Sequence, residues 1–312
     1  MFEATELSFT YPSGRRGLLN VSLSGNPGDR VVVMGPNGSG KSTLLRLVST
    51  ELRSWAGSLT LFGKESGASL PVQRKRIGIV QDTPVHVEDL TGLENALLFA
   101  ELYGVGRAVA ARAIETLFAS LGLDEALHVL TKEYSYGMNK KLLIAEALVH
   151  DPEILILDEP ALGLDPPSRA ALLRILEERS GTGVCTLVAT NEPSLAQELA
   201  TTVVLLDEGE VVAQGSPSEL LAKVGGATRI EVHVTGSATS AALAELPEDL
   251  VSIRRLPGRI VAESKTGPDA LPRLVQAVLA EGFTIERIEL REPDLTDVFT
   301  LFTGRTLGSK KT

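Results

Sequence analysis

The stretch Gly35–Ser42 reads GPNGSGKS and has the pattern G-x-x-x-x-G-K-S. Its glycines at 35, 38 and 40 let the backbone curl until its N–H groups converge on phosphate oxygens. Lys41 adds an ammonium suited to β and γ phosphates, and Ser42 adds a hydroxyl suited to Mg²⁺. Further along, ILILDEP (154–160) sets two carboxylates, Asp158 and Glu159, directly after four aliphatic residues. Charge beside an apolar core requires a positive counterpart. The counterpart expected here is Mg²⁺ carried on a nucleoside triphosphate. Asp158 would then hold the metal through water, and Glu159 would orient and deprotonate the water that attacks the γ-phosphate.

These groups need strands and helices to position them. RVVVMG (30–35) is a short run rich in β-branched residues that ends in the glycine loop. KSTLLRLVSTEL follows with Leu44, Leu45, Leu47, Val48 and Leu52 at helical spacing, which predicts strand, loop, helix. The helix start adds a positive dipole end beneath the phosphates. GSLTLFG (57–63) and RIGIVQ (76–81) read as further strands. ENALLFAELYG, AVAARAIETLFASLG and MNKKLLIAEALVH are built from good helix formers and predict an all-helical insertion over about 85–150. β-structure returns at EILILDE and GVCTLVAT, alternating with helices, and TVVLLDEGEVVAQG predicts a hairpin turning at Glu208–Gly209. Strands alternating with helices imply a mostly parallel sheet covered on both faces, with ligands at the carboxyl ends of its strands.

A Gly225–Gly226 break marks the expected boundary between residues 1–224 and a small domain over 227–312. The latter reads strand, helix (SATSAALAEL), strand, strand, helix, strand, an α+β unit of ferredoxin-like type. In the closing segment, PDLTDVFTLFTG, Leu295, Val298, Phe299 and Phe302 share one helical face expected to dock on the protein's own core.

The net charge of −10 argues against sequence-independent nucleic-acid binding, which needs a cationic excess. The single cysteine, Cys185, lies in an apolar run and reads as a buried small hydrophobe in a reducing cytosol. The N-terminus lacks the pattern of a signal peptide, and no apolar run approaches the roughly 20 residues that span a bilayer. A soluble chain is expected, with any membrane role exercised through a partner. Lys140–Lys141 read as solvated helix-face lysines, Arg15–Arg16 as exposed turn residues, and Arg53 and Trp55 as local packing.

Upstream of the acidic strand, YSYGM (134–138) resembles the signature loop of the ATP-binding-cassette (ABC) ATPases, usually written LSGGQ. GLD (163–165) resembles that family's D-loop, Gln81 its Q-loop glutamine, and Tyr11 the aromatic placed under adenine. The resemblance runs in order from about Phe2 to Ala222. The Tyr-Ser opening, the Gly-Met pair and the C-terminal segment are similar to the ATPase subunits of type-two ABC exporters, whose membrane subunit is a separate chain. The implied fold is an α/β P-loop NTPase cassette, mostly parallel with an antiparallel β part and a helical insertion, plus the small α+β C-terminal domain.

The resemblance implies an ATPase that uses ATP and Mg²⁺. It pairs as a homodimer, drives a transmembrane permease from the cytoplasmic face of the membrane, and engages no nucleic acid. Nucleotide would be held by Tyr11, by Gly35, Pro36, Asn37, Gly38, Ser39, Gly40, Lys41, Ser42 and Thr43, and in trans by Ser135 and Gly137 of the partner copy. Ser42, Gln81 and Asp158 would hold the metal; Glu159, Gln81 and Asn191 are the expected catalytic residues. The segment after Gln81 would carry the ATP signal to the permease.

One departure stands out. The family usually has Thr-His after the strand that follows the acids; here the pair is Thr190–Asn191, and none of the histidines (86, 128, 150, 233) is nearby in sequence. Asn191 can donate a hydrogen bond but cannot carry charge or a proton. Two consequences are open: Glu159 suffices, or the site binds ATP and turns it over poorly as an ATP-gated module. A non-transport cassette acting on ribosomes or DNA is a further alternative, although such proteins usually carry paired cassettes or long coiled-coil insertions, which this chain lacks.

Overall fold

The computed structural model describes residues 1–53, 55–67, 69–83, 86–224, 228–236, 250–264 and 266–305. The expected Gly225–Gly226 break and the expected helix over 237–246 lie outside them. Contacts divide the chain into two compact units, one ending at Pro217 and the other beginning at Ser218.

In the first unit the chain runs β1 (Phe2–Thr10), β2 (Arg16–Gly25), β3 (Arg30–Met34), α1 (Lys41–Val48), β4 (Ala56–Leu61), β5 (Lys64–Glu65), α2 (Leu70–Arg74) and β6 (Ile77–Val80). Helices α3 (Gly92–Leu102), α4 (Arg107–Leu121) and α5 (Tyr136–Leu148) follow and pack on one another. The unit closes with β7 (Ile154–Asp158), α6 (Pro166–Gly181), β8 (Cys185–Thr190), α7 (Pro193–Leu199), β9 (Thr202–Asp207) and β10 (Glu210–Gly215).

β1, β2, β4 and β5 form an antiparallel sheet ordered β2-β1-β4-β5. The larger sheet is ordered β10-β9-β3-β8-β7-β6, parallel except for β10. Its middle strands are buried along nearly their whole length and mostly apolar, as strands covered on both faces must be. Helix α1 packs against β2 and against β7 and β8, with Leu44, Leu47 and Val48 fully buried. Burying each such side chain favours the packed helix by about 1.5–3 kcal/mol. The β9–β10 hairpin turns at Glu208 and Gly209, both with positive φ, the conformation a tight two-residue turn demands.

Register fixes what lies at the sheet's carboxyl edge. Met34 is opposite Thr190, Asp158 is opposite Ala189, and Val80 is opposite Leu157. The segments that leave β3, β8, β7 and β6 therefore emerge side by side, although they are far apart in sequence.

After α8 (Pro217–Lys223), the second unit contains β11 (Thr228–Thr235), β12 (Leu250–Leu256), β13 (Arg259–Ser264), α9 (Leu271–Ala280), β14 (Thr284–Arg291) and α10 (Leu295–Thr303). Its antiparallel sheet is ordered β12-β13-β11-β14, with first and third strands central, as a ferredoxin-like unit requires. Alternate residues of β11 join Leu274 and Val278 of α9 in its core. On α10, Leu295, Val298 and Phe299 are buried, whereas Phe302 is 43% exposed with Lys223 Nζ 5.5 Å from its ring. The expectation that all four dock is corrected at Phe302, whose face is partly shielded by a cation instead.

Candidate functional site

The glycine loop lies between β3 and α1. A Cβ on Gly35 would stand 2.0 Å from the Leu206 carbonyl, and one on Gly40, at φ +111°, would stand 2.6 Å from the Gly17 carbonyl. Only glycine fits those two positions. No side chain caps α1, so the N–H groups of its first turn remain directed at the loop. Beneath the loop the Ser39 hydroxyl is buried without a hydrogen-bond partner among the described residues.

Lys41 is buried, and its Nζ donates to the carbonyls of Gly35 (2.6 Å) and Pro36 (3.2 Å) and to Asn191 Oδ1 (2.8 Å). Burial lowers its pKa, against the opposing pull of Glu159 and Asp158. The Asn191 amide spans the cleft, because its Nδ2 donates to Asn37 Oδ1 (3.0 Å) while its backbone N–H donates to Glu159 Oε2 (3.4 Å).

Glu159 adopts φ +45°, a left-handed conformation that costs a non-glycine residue on the order of 1 kcal/mol. Its N–H is tied to the Ala189 carbonyl (2.9 Å) and its carboxylate accepts from the Thr190 hydroxyl (3.1 Å). The strained turn aims the second acid sideways at β8 while the first ends β7. Burial raises the Glu159 pKa, and the bonds from Thr190 and Asn191 and the Lys41 charge restrain that rise. A carboxylate poised in this way suits a general base.

Two adjoining clefts share Ser42, Arg46, Asp82 and Asp158. One, of about 340 Å³, is lined by Tyr11, Asn37, Gly38, Gly40, Lys41, Ser42, Thr43, Asp158 and Glu159 together with Arg15, Arg16 and Arg46. The other, of about 270 Å³, brings Ser42, Gln81 and Asp158 together. One hydroxyl, one amide and one carboxylate form a sparse hard-oxygen set, which suits Mg²⁺ shared with phosphates and water better than a metal held by protein alone. Among the described residues no cluster of three or more His, Cys, Asp or Glu side chains could hold a metal. Tyr11 bonds Thr43 through its hydroxyl (2.8 Å), and the Arg15 guanidinium lies 4.9 Å from its ring centre. Arg15 and Arg16 are exposed, but they line the cleft.

Ser135 and Gly137 line neither cleft. Ser135 caps α5 by accepting from the Met138 N–H (3.2 Å). Tyr136, which stands where LSGGQ has a glycine, is 47% exposed, and its ring presses so closely on Gly163 that a Cβ there would lie 2.5 Å away. Asp165 caps α6 by accepting from the Ser168 N–H (2.9 Å).

The expectation for Lys140 is overturned. It is fully buried, and its Nζ donates to the carbonyls of Gln81 (3.0 Å), Asp82 (3.2 Å) and Asp158 (3.3 Å). Burial lowers its pKa, opposed by Asp82, Asp158 and Glu159. The paired acids thus lie between two lysines, Lys41 at the cleft and Lys140 behind the strand end. The sequence carried a signal for this: residue 140 is four before the fully buried Ile144 and seven before Ala147, on the buried face of α5. Lys141 keeps a half-buried position, donating to the Gly122 carbonyl (3.2 Å).

The ABC transporter family profile matches residues 18–162. The chain is 35% identical over 276 residues to the daunorubicin resistance ATP-binding protein DrrA3 of Streptomyces coeruleorubidus, covering 87% of this chain and 86% of that protein. It is 32% identical over 305 residues to a fluoroquinolones export ATP-binding protein of Mycobacterium tuberculosis (strain CDC 1551 / Oshkosh), covering 96% of this chain and 92% of the other. Among solved structures, it resembles an ATP-binding subunit of an ABC transporter with a TM-score of 0.67 at 29% identity, over 72% of this chain and 93% of that one. No helix among the described residues is long and apolar enough to cross a membrane.

Proposed function

Because the chain belongs to the ABC transporter ATP-binding family, we propose that it is the ATPase subunit of an exporter, acting at the cytoplasmic face of the membrane through a separate permease. One observation carries the reading. The glycine loop, the paired acids and Asn191 converge at one sheet edge, while Ser135 and Gly137 lie outside that cleft. The two contacts expected of Ser135 and Gly137 would then come from a second copy, set head to tail. ATP would be bound between Lys41 and the loop of one chain and Ser135 at the start of α5 of the other. Ser42, Gln81 and Asp158 would hold Mg²⁺, which when bound supplies charge neutralisation to the phosphates. Glu159, fixed by Thr190 and Asn191, would take the proton from the attacking water. Dimer closure by ATP and its release after hydrolysis would drive the permease by population shift. The fluoroquinolones-export name of one relative supports the direction of transport.

In a steady-state assay the rate per chain is expected to rise with chain concentration and sigmoidally with ATP. A rate per chain that is independent of concentration would sink the shared site. A membrane protein encoded beside the chain and lacking a cassette of its own is expected to bind it and raise that rate.

A second reading, an ATP-gated module with little turnover, rests on Asn191. The bridge from Lys41 to Asn37 shows the amide already serving the loop through two bonds. Asn191→His is therefore expected to change kcat by less than about threefold, since the base is Glu159 rather than residue 191. A gain of tenfold or more, roughly 1.4 kcal/mol of barrier, would favour the gated module.

A further inference from the structure

The helix that begins with the signature loop is fastened to the nucleotide cleft from behind. Its Lys140 ammonium is wholly enclosed, and its acceptors are backbone carbonyls: Gln81 and Asp82 on the segment leaving β6, and Asp158 at the end of β7. Backbone acceptors cannot follow a moving lysine by changing rotamer; they move only with their chain segments. A second buried approach to α5 comes from His86. His86 Nδ1 lies 3.3 Å from Glu146 Oε1, with both side chains almost wholly enclosed, and His86 Nε2 lies 3.1 Å from the Asn139 carbonyl. Helix α5 is therefore hydrogen-bonded near its start to residues 81 and 82 and to His86, and approached near its end by His86 alone, without a hydrogen bond.

We infer that Lys140 is the positioning residue that makes the signature loop follow the occupancy of the nucleotide cleft on its own chain. The inference rests on the shared-site reading above. If a bound nucleotide draws Gln81 and Asp158 toward it, the carbonyls holding Lys140 shift with them. Leaving a buried ammonium without acceptors is costly, which draws α5 along with them. Ser135, the first residue ahead of that helix, is carried along and presented to the partner's phosphates. Each cleft thereby prepares the other, and Lys140 touches neither ATP nor the attacking water.

The test uses the full chain with Glu159→Gln to slow hydrolysis, Mg-ATP as ligand, calorimetry for binding and sedimentation velocity for pairing. Adding Lys140→Met is expected to leave ATP affinity per chain within about threefold and to weaken ATP-driven pairing by at least about tenfold, with Lys140→Arg recovering most of the loss. Unchanged pairing in Lys140→Met, or a Lys140→Arg as defective as the methionine variant, overturns the inference. If Lys140→Met does not melt cooperatively, amide exchange in the unsubstituted chain decides. ATP is expected to change protection at 81–83 and at 135–144 together, and a change in one stretch without the other overturns it. Failure of the unsubstituted chain to bind ATP would instead remove the shared-site reading on which the inference stands.

Discussion

Glu159→Gln is expected to lower ATP turnover by roughly a hundredfold or more while ATP affinity stays within about threefold, the range set by losing a positioned general base. The substitution is close to isosteric. The amide oxygen can still accept from the Thr190 hydroxyl and the Asn191 N–H, and the strained turn at φ +45° is untouched. What disappears is the ability to receive a proton. Binding should survive because Glu159 contributes to the cleft as an acid beside Lys41, and removing one negative charge from a triphosphate site does not weaken anion binding. Single-turnover measurement separates the two quantities. A variant that still hydrolyses within about fivefold of the parent would exclude Glu159 as the base and leave it a positioning role for Thr190 and Asn191.

The parts of this site that were legible in the sequence are those whose chemistry is local. GPNGSGKS declares a phosphate cradle because three glycines, a lysine and a serine are contiguous. ILILDEP declares a charged strand end because four aliphatic residues run directly into two acids. The alternation of apolar runs and helical spacing gave the parallel sheet, but no sequence pattern encodes which strand lies beside which. The adjacency of β3, β8 and β7, which turns separate motifs into one cleft, emerges only from the register. Short α2, with Pro71 in its first turn and only five residues, offers too little periodicity to detect.

Lys140 failed for a different reason. A charged pair on a helix reads as solvated, because an unpaired buried charge is expensive. Its compensation comes from carbonyls 59 and 18 residues away, which no local window contains. The same holds for Glu146, whose partner His86 belongs to another segment. The buried face of α5 was visible in its spacing; the polar partners that make charge tolerable there were not.

Lys41→Met is expected to separate function from stability. The ammonium is satisfied by two loop carbonyls and Asn191, and burial still lowers its pKa below the ordinary lysine value. A lowered lysine pKa means that the folded state disfavours the charged form that prevails near neutral pH, so the charge costs folding free energy there. Methionine keeps the unbranched stem and removes the buried charge. Its melting temperature is therefore expected to equal or exceed that of the parent. ATP binding should move the other way. The ammonium gives up carbonyl partners in exchange for phosphate oxygens, a charge-assisted contact worth about 1.5–3 kcal/mol. Its loss corresponds to roughly 10- to 150-fold weaker binding, read by calorimetry. Undiminished affinity in a variant that melts normally would mean that the glycine loop and helix start hold the phosphates alone, and that Lys41 serves chiefly to offset Asp158 and Glu159.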